Sequence, residues 1–323
     1  MSEQSESIRL LATLDSVWTE IRAAHPDVPP VILLAAPGDR ERHTKIGHFW
    51  ALKWKHRTEG NLHEVVLIAE YLQRTPQQVM EVLMEGGDAK KRAKAKKALD
   101  RINAECAVLN DWVQQRTTYW MDQGKLVGLV GGDHSTPLGF FRAQAARHKE
   151  FGILHIDAHL DLRVAYEGFT YSHASIMYNA LPIKQLTKLV SVGIRDFCEQ
   201  ENDVFLKNKE RVRIVRSADV RRQQYEGITW REQCDAIIAS LPQKVHVSFD
   251  IDGLDPTLCP NTGTPVPGGF QYEEATYLLS RLVRSGRTII GFDLVEVAPG
   301  KDEWDANVGA RLLFHLCGVM AAR

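Results

Sequence analysis

Six residues of types that bind divalent metals fall in three short stretches of this chain. They are His134 in GGDHS (131–135), Asp157, His159 and Asp161 in DAHLD (157–161), and Asp250 and Asp252 in SFDID (248–252). Each stretch follows an apolar run: LVGLV, FGILHI or KVHV. Asp157, His159 and Asp161 alternate, as do Asp250 and Asp252, and in extended backbone alternate residues point to one side. Carboxylates and imidazoles without a thiolate suit a divalent ion of intermediate hardness, such as Mn2+, better than a structural zinc. Four carboxylates and two imidazoles exceed the needs of one ion, whereas two ions sharing bridging carboxylates fit the count. Such a pair lowers the pKa of a water held between the ions and so supplies hydroxide as nucleophile. No Ser nucleophile in a GxSxG elbow is present, and none is required. The chemistry is that of a binuclear metallohydrolase.

Each group alone has a plainer reading. His134 follows a Gly-Gly-Asp turn and reads singly as a loop or helix-cap histidine. Asp157 and Asp161 singly read as helix caps, and Asp250 to Asp255 as turn chemistry before Pro256. Three strand ends carrying ligand-type residues together exceed what capping demands. His155 also alternates but lies inside its apolar run, so it reads as packing or as support for a ligand. His63-Glu64 begins an HExxH pattern, but Leu67 stands where the second histidine is needed. PNTGTPVPGG (260–269) lacks the Lys-Ser/Thr of a phosphate loop and reads as a rigid, turn-rich pocket wall.

The elements that must position these residues follow from periodicity. Helical spacing runs through EVVLIAEYLQRTPQQVMEVLMEGG, and a second helix is expected over 89–122, with Trp112 and Trp120 in the core. Short apolar runs follow at 126–130, 151–156, 189–194, 211–215, 245–249 and 288–294, mostly separated by 10 to 20 helix-like residues. This alternation predicts an α/β fold with a mostly parallel sheet covered on both faces. Ligands bind such sheets beyond the carboxyl ends of the strands, where all three motifs sit. Upstream, a helix over 6–24 and a strand over 31–37 precede a basic, His-containing stretch, DRERHTKIGHFWALKWKHR.

Bulk properties narrow the partners. The chain has 323 residues, 44% of them hydrophobic, enough for one large core or two modest ones. A net charge of −1 gives no overall field for nucleic acid or an anionic membrane, and KKRAKAKK (90–97) reads as a solvated helix face. No apolar run approaches the roughly 20 residues of a membrane span. The N-terminus lacks a secretory pattern, and the five cysteines are scattered and odd in number. They read as reduced thiols in a cytoplasmic protein.

GGDHS, DAHLDLR, YSHASIMYNAL, VGIRD, SFDIDGLDP, TGTPVPGG and IIGFDLVEVAP, in that order, closely resemble the motifs of the arginase/agmatinase/formimidoylglutamase family, the ureohydrolases. The resemblance implies a three-layer α-β-α fold with a mostly parallel central sheet, arginase-like over residues 62–323, with 1–61 a divergent or added N-terminal segment. It implies two Mn2+ per chain, or another divalent ion such as Ni2+ or Co2+. His134, Asp157, Asp161 and Asp250 would hold one ion, and Asp157, His159, Asp250 and Asp252 the other, with Asp157 and Asp250 bridging. Asp161 would also accept a hydrogen bond from the bridging hydroxide. His173 matches the histidine that passes a proton to the departing amine, and Glu296 the carboxylate that holds the guanidinium.

The implied reaction is hydrolysis of a C–N bond in a small guanidino or amidino substrate, agmatinase-like, releasing urea and an amine. Alternatives are a formimidoylglutamase releasing formamide, an amine deacetylase on the same fold, and a non-catalytic metal-binding member. A homo-oligomer, trimer or hexamer, is implied as well. LRVAYEGFTYS (162–172) lacks the Asn-containing pattern with which arginases hold an α-amino acid, and His173-Ala174 replaces the common His-Gly. Arg163 is open to two uses, pairing with a substrate carboxylate or with Glu167.

Overall fold

The structure, a computed structural model, describes residues 31–35, 89–298 and 300–322. The expected helices at 6–24 and 64–87, the HExxH fragment at His63 and the basic stretch at 39–57 lie outside the described residues. Among the described residues, seven parallel strands form one sheet: β1 (Val31–Ala35), β2 (Leu126–Val130), β3 (Phe151–Ile156), β4 (Leu186–Ile194), β5 (Val212–Arg216), β6 (Lys244–Asp250) and β7 (Thr288–Val295). Their order across the sheet is β1-β2-β7-β6-β3-β4-β5. β1 extends the edge by pairing with β2, from Val31 opposite Leu126 to Ala35 opposite Val130.

Helices cover both faces, giving the three layers expected. On one face lie α1 (Ala89–Asp122), α2 (Leu138–Arg147), the short α3 (Ile176–Ala180) and α4 (Glu199–Lys207). On the other lie α5 (Ser217–Tyr225), α6 (Trp230–Ala239), α7 (Tyr272–Arg284) and α8 (Trp304–Ala321). The strands divide their side chains accordingly. Leu154, Ile156, Val245, Val247 and Phe249 pack into the α5–α8 side, while Phe151 and Ile153 pack against Leu138 and Phe141 of α2. α1 turns Val113 and Met121 onto Val127, Leu129 and Phe140. Trp112 and Trp120 flank that contact half-buried instead of filling the core, because Val113 and Thr117 take the inward positions. Lys94, Lys96 and Lys97 are exposed, as a solvated face requires. Among the described residues, no helix is long and apolar enough to cross a membrane.

Candidate metal centre

The three motifs converge at the carboxyl ends of β2, β3 and β6, the central part of the sheet. β2 runs into Gly131 and Gly132, with φ of 87° and 73°, a region that glycine enters without a Cβ clash. The turn stitches GGDHS to the end of β7: Gly131 N–H donates to the Leu294 carbonyl (2.8 Å), and Glu296 N–H donates to the Gly132 carbonyl (3.1 Å). His134 N–H in turn donates to Glu296 Oε1 at 2.9 Å.

Simple strand alternation does not gather the other candidate ligands. Asp157 is the first residue past β3, and Asp252 lies in a 3-10 turn, Ile251–Gly253, that directly follows Asp250. Asp161 has φ +55°. Its carbonyl accepts the N–H groups of Met177 and Tyr178 (3.1 and 3.0 Å) at the start of α3. That pairing holds a left-handed residue in place and returns its carboxylate to the cluster. Turns after the strands thus do what extended backbone was expected to do.

The resulting geometry has two parts. His134 Nδ1 lies 2.9 Å from Asp157 Oδ2, 3.1 Å from Asp161 Oδ2 and 3.3 Å from Asp250 Oδ2. His159 Nδ1 lies 3.1 Å from Asp252 Oδ2 and 3.4 Å from Asp157 Oδ1. Asp157 therefore faces both groups, one oxygen to each. Asp250 Oδ1 accepts the Asp252 N–H (2.9 Å), so its contacts place only Oδ2 in the first group. All of these residues except the half-buried His159 are buried.

The donor set fits divalent cations. His134 Nδ1 is buried and makes no hydrogen bond of acceptable geometry, although three carboxylates surround it. Acceptors packed this closely repel unless positive charge lies among them. The titration directions express the same excess. Burial opposes protonation of His134, but Asp157, Asp161 and Asp250 hold its pKa well above the ordinary value. Against burial, Asp157 and Asp252 push His159 up to about 11. Burial, with Asp252 and Asp157 beside it, raises Asp250 well above the carboxylate range, and burial and Asp157 raise Asp252. Burial works to raise Asp157 too, yet His155 and His134 hold it well below that range. His134, His155, Asp157 and Asp161 form one group spaced for a metal, and Asp157, His159 and Asp252 form another.

Glu296, the residue after β7, is also left-handed (φ +62°), and its backbone is pinned by the Gly132 contact and by Thr262 Oγ1, which donates to its carbonyl at 3.0 Å. Burial, reinforced by the charge of Asp133, pushes its carboxyl up to about 7, while His173 and His134 pull it down. Since Oε1 receives the His134 N–H, Oε2 remains. A Cβ on Gly263 would stand 3.8 Å from that oxygen. His173 opens the 3-10 turn His173–Ser175, capped by Ser172, and its half-buried ring stands edge-on to Tyr166, with 6.0 Å between centroids.

Several residues that shape the site were missed in the sequence. Arg195 donates to the carbonyls of Gly193, Asp252, Leu254 and Val266, tying the 260–269 loop to the metal strands. Glu201 is buried and accepts the N–H groups of Leu162 (3.1 Å) and Cys198 (2.9 Å). Its Oε2 lies 3.6 Å from Arg163 Nε, and the Arg163 guanidinium covers the Tyr166 ring at 4.8 Å. Of the two uses open to Arg163, the Glu167 pairing is thus replaced by one with Glu201. Ser248, Asp293 and His246 lie beneath the candidate ligands; the alternation of His246 and Ser248 with Asp250 in KVHVSFD was the available signal for those two.

Comparison with known proteins agrees with this architecture. The N(1)-aminopropylagmatine ureohydrolase of Thermus thermophilus is 35% identical over 196 residues, which cover 61% of this chain and 63% of that protein. The chain therefore matches a little under two thirds of that relative's length. The agmatinase of Proteus mirabilis is 32% identical over 67% of this chain and 66% of its own. The crystal structure of the agmatine ureohydrolase of Thermoplasma volcanium superposes with a TM-score of 0.57 at 28% identity, covering 67% of this chain and 69% of that one. The family model described as the arginase family matches residues 72–318, far more than half of the 323 residues, and the chain belongs to that family.

Proposed function

We propose that this chain is a ureohydrolase: it hydrolyses a guanidino C–N bond of a small linear substrate and releases urea and an amine. One observation carries the reading. Two carboxylate–imidazole groups share Asp157, and the His134 backbone N–H of one of them donates to Glu296, a half-buried carboxylate with an oxygen to spare. His134, Asp157, Asp161 and Asp250 would hold one Mn2+-type ion, and Asp157, His159 and Asp252, with Asp250, a second. When bound, such a pair supplies Lewis acidity and a water of lowered pKa.

The chain's own residues supply the rest. Glu296 receives the planar cation in charge-assisted hydrogen bonds and orients its central carbon towards the metal groups. Asp161 stands at the His134 side, where it accepts a hydrogen bond from the attacking group. His173, close enough to Glu296 to bear on its charge, delivers the proton that the departing amine needs. An amine tail is favoured over an acid tail, because Arg163 is already engaged by Glu201 and Tyr166. The names of the Thermus thermophilus and Proteus mirabilis relatives point the same way.

The test is metal analysis of the purified protein followed by a substrate panel of agmatine, aminopropylagmatine, guanidinobutyrate, arginine and formimidoylglutamate. Two ions per chain and urea from an amine-tailed guanidine are expected. Formamide from formimidoylglutamate alone would move the protein to the amidine branch, and no product from any member with metal bound would overturn the hydrolase reading. A homo-oligomer in the cytoplasm is part of the same proposal, and mass photometry tests the assembly.

A further inference from the structure

One residue layer beneath the ligands, a row of polar side chains crosses four strands in register. Asp293 of β7 pairs with Ser248 of β6, Ser248 with His155 of β3, and His155 with Ser191 of β4. All four are buried in a sheet whose other inward positions are mostly apolar. Buried polar groups in such surroundings are costly unless they are hydrogen-bonded, and these are. Ser248 Oγ lies 2.9 Å from both Asp293 Oδ1 and His134 Nε2. His155 lies 3.0 Å from Ser191 Oγ through Nδ1 and 2.8 Å from Asp157 Oδ2 through Nε2. His246, one layer deeper, reaches Asp293 Oδ2 at 2.9 Å from between the edges of Phe140 and Phe141. Opposite it stands Gly291, where a Cβ would come 3.2 Å from His246 Nδ1.

Counting protons gives each contact a direction. A carboxylate only accepts, so Ser248 gives its single proton to Asp293 and His246 donates from Nε2. Ser248 then has only lone pairs for His134, whose Nε2 must carry the hydrogen. In the neutral ring that a metal requires, Nδ1 is thereby left as the bare nitrogen, the one that faces Asp157, Asp161 and Asp250. On the second arm, His155 donates from Nε2 to Asp157, so Ser191 donates to Nδ1.

We infer that this layer positions the metal ligands in two separable ways: Asp293 and Ser248 set the tautomer and ring orientation of His134, and Ser191 and His155 set the carboxylate of Asp157. The inference rests on the metal reading above. Because His134 belongs to one group while Asp157 belongs to both, the arms have different signatures. Losing the Ser248 arm weakens one ion, and losing the Ser191 arm weakens both. Residues that orient a ligand in this manner typically carry about 10- to 100-fold in metal affinity.

The experiment is calorimetric titration of metal-stripped protein with Mn2+ alone, for wild type, Ser248→Ala and Ser191→Ala, with circular dichroism to confirm folding. Ser248→Ala is expected to weaken one of two binding steps by about 10- to 100-fold and leave the other unchanged, whereas Ser191→Ala weakens both. If Ser248→Ala does not fold, Ser248→Cys fills nearly the same space with only a weak hydrogen-bonding group and should show the same one-step loss. Two unchanged steps, or two equally weakened ones, in a folded Ser248 variant overturn this inference and leave the metal reading intact. A wild-type protein that takes up no divalent ion overturns both.

Discussion

At the scale of single residues, the site depends on a few side chains whose backbone is held against its ordinary preference. The described non-glycine residues at positive φ are Asp161, Glu167 and Glu296, and two of these three are proposed site residues. Such conformations cost about 1–3 kcal/mol each and persist where several contacts impose them. Glu296 has such contacts at both its N–H and its carbonyl. Glu296→Gln keeps shape and most hydrogen bonding but removes the charge that pairs with a guanidinium. Metal content is expected to stay at the wild-type level while kcat/KM falls by a factor on the order of 100 or more, as for loss of a charge-assisted pair of about 3 kcal/mol. Retained turnover would disprove the role given to Glu296. Asp157→Asn should lose both ions, since each group uses one of its oxygens, and elemental analysis reads this directly.

At the scale of elements, Arg195 is the tie between β4, the turn after β6 and the 260–269 loop. A lysine cannot reproduce a guanidinium fork spread over four carbonyls. Arg195→Lys should raise KM several-fold with a smaller effect on kcat, and hydrogen exchange across 260–269 should quicken; unchanged exchange would remove the tie. Gly291→Ala drives a methyl to 2.6 Å from the Phe140 ring, and overpacking of this kind costs about 1–3 kcal/mol, readable as a lowered denaturation midpoint. These elements were legible to different degrees. The runs at 126–130 and 151–156 are β2 and β3 residue for residue, because strands buried on both faces are unbroken apolar stretches. β4 begins at Leu186, three residues earlier than the run that marked it, because Thr187 and Lys188 interrupt the apolar signal. The candidate ligands were legible through residue type, as groups that could hold a metal. Their convergence was not, since it depends on left-handed turns at Asp161 and Glu296, where no glycine advertises the bend. Arg195 and Glu201 were invisible for another reason: the partners that join them to the site, the Asp252, Leu254 and Val266 carbonyls for Arg195 and the Leu162 N–H for Glu201, lie far away in sequence.

At the scale of the molecule, the site sits on a sheet clamped by helices that must stay docked. Arg221 of α5 pairs with Glu274 of α7, with one oxygen at 2.7 Å from Arg221. Burial acts to raise the Glu274 carboxyl, but Arg221 and the Gln271 N–H hold it below its ordinary value of 4.5. A depressed folded pKa means that this stabilisation is fully present above pH 4.5 and is lost as pH falls through the folded value. Glu274→Gln should therefore lower the melting temperature by a few degrees at neutral pH, about what 1 kcal/mol does in a chain of this size, and the gap should close in acid. A gap that persists unchanged at pH 3 would sink that assignment.

The exchange of hydrogen bonds between GGDHS and the end of β7 also reaches the whole molecule. The His134 N–H reaches the Glu296 carboxylate while the Glu296 N–H reaches the Gly132 carbonyl, so the loop of the proposed ligand and the carboxylate proposed to hold substrate form one closed ring of chain. A cation that steadies His134 also steadies Glu296, and a guanidinium that loads Glu296 stiffens the loop under the cation. Linkage makes that exchange symmetric: whatever factor metal adds to the affinity for substrate, substrate adds to the affinity for metal. Protein without substrate should then hold its ions less tightly than protein with substrate bound, and substrate supply would help decide how much of the population remains loaded.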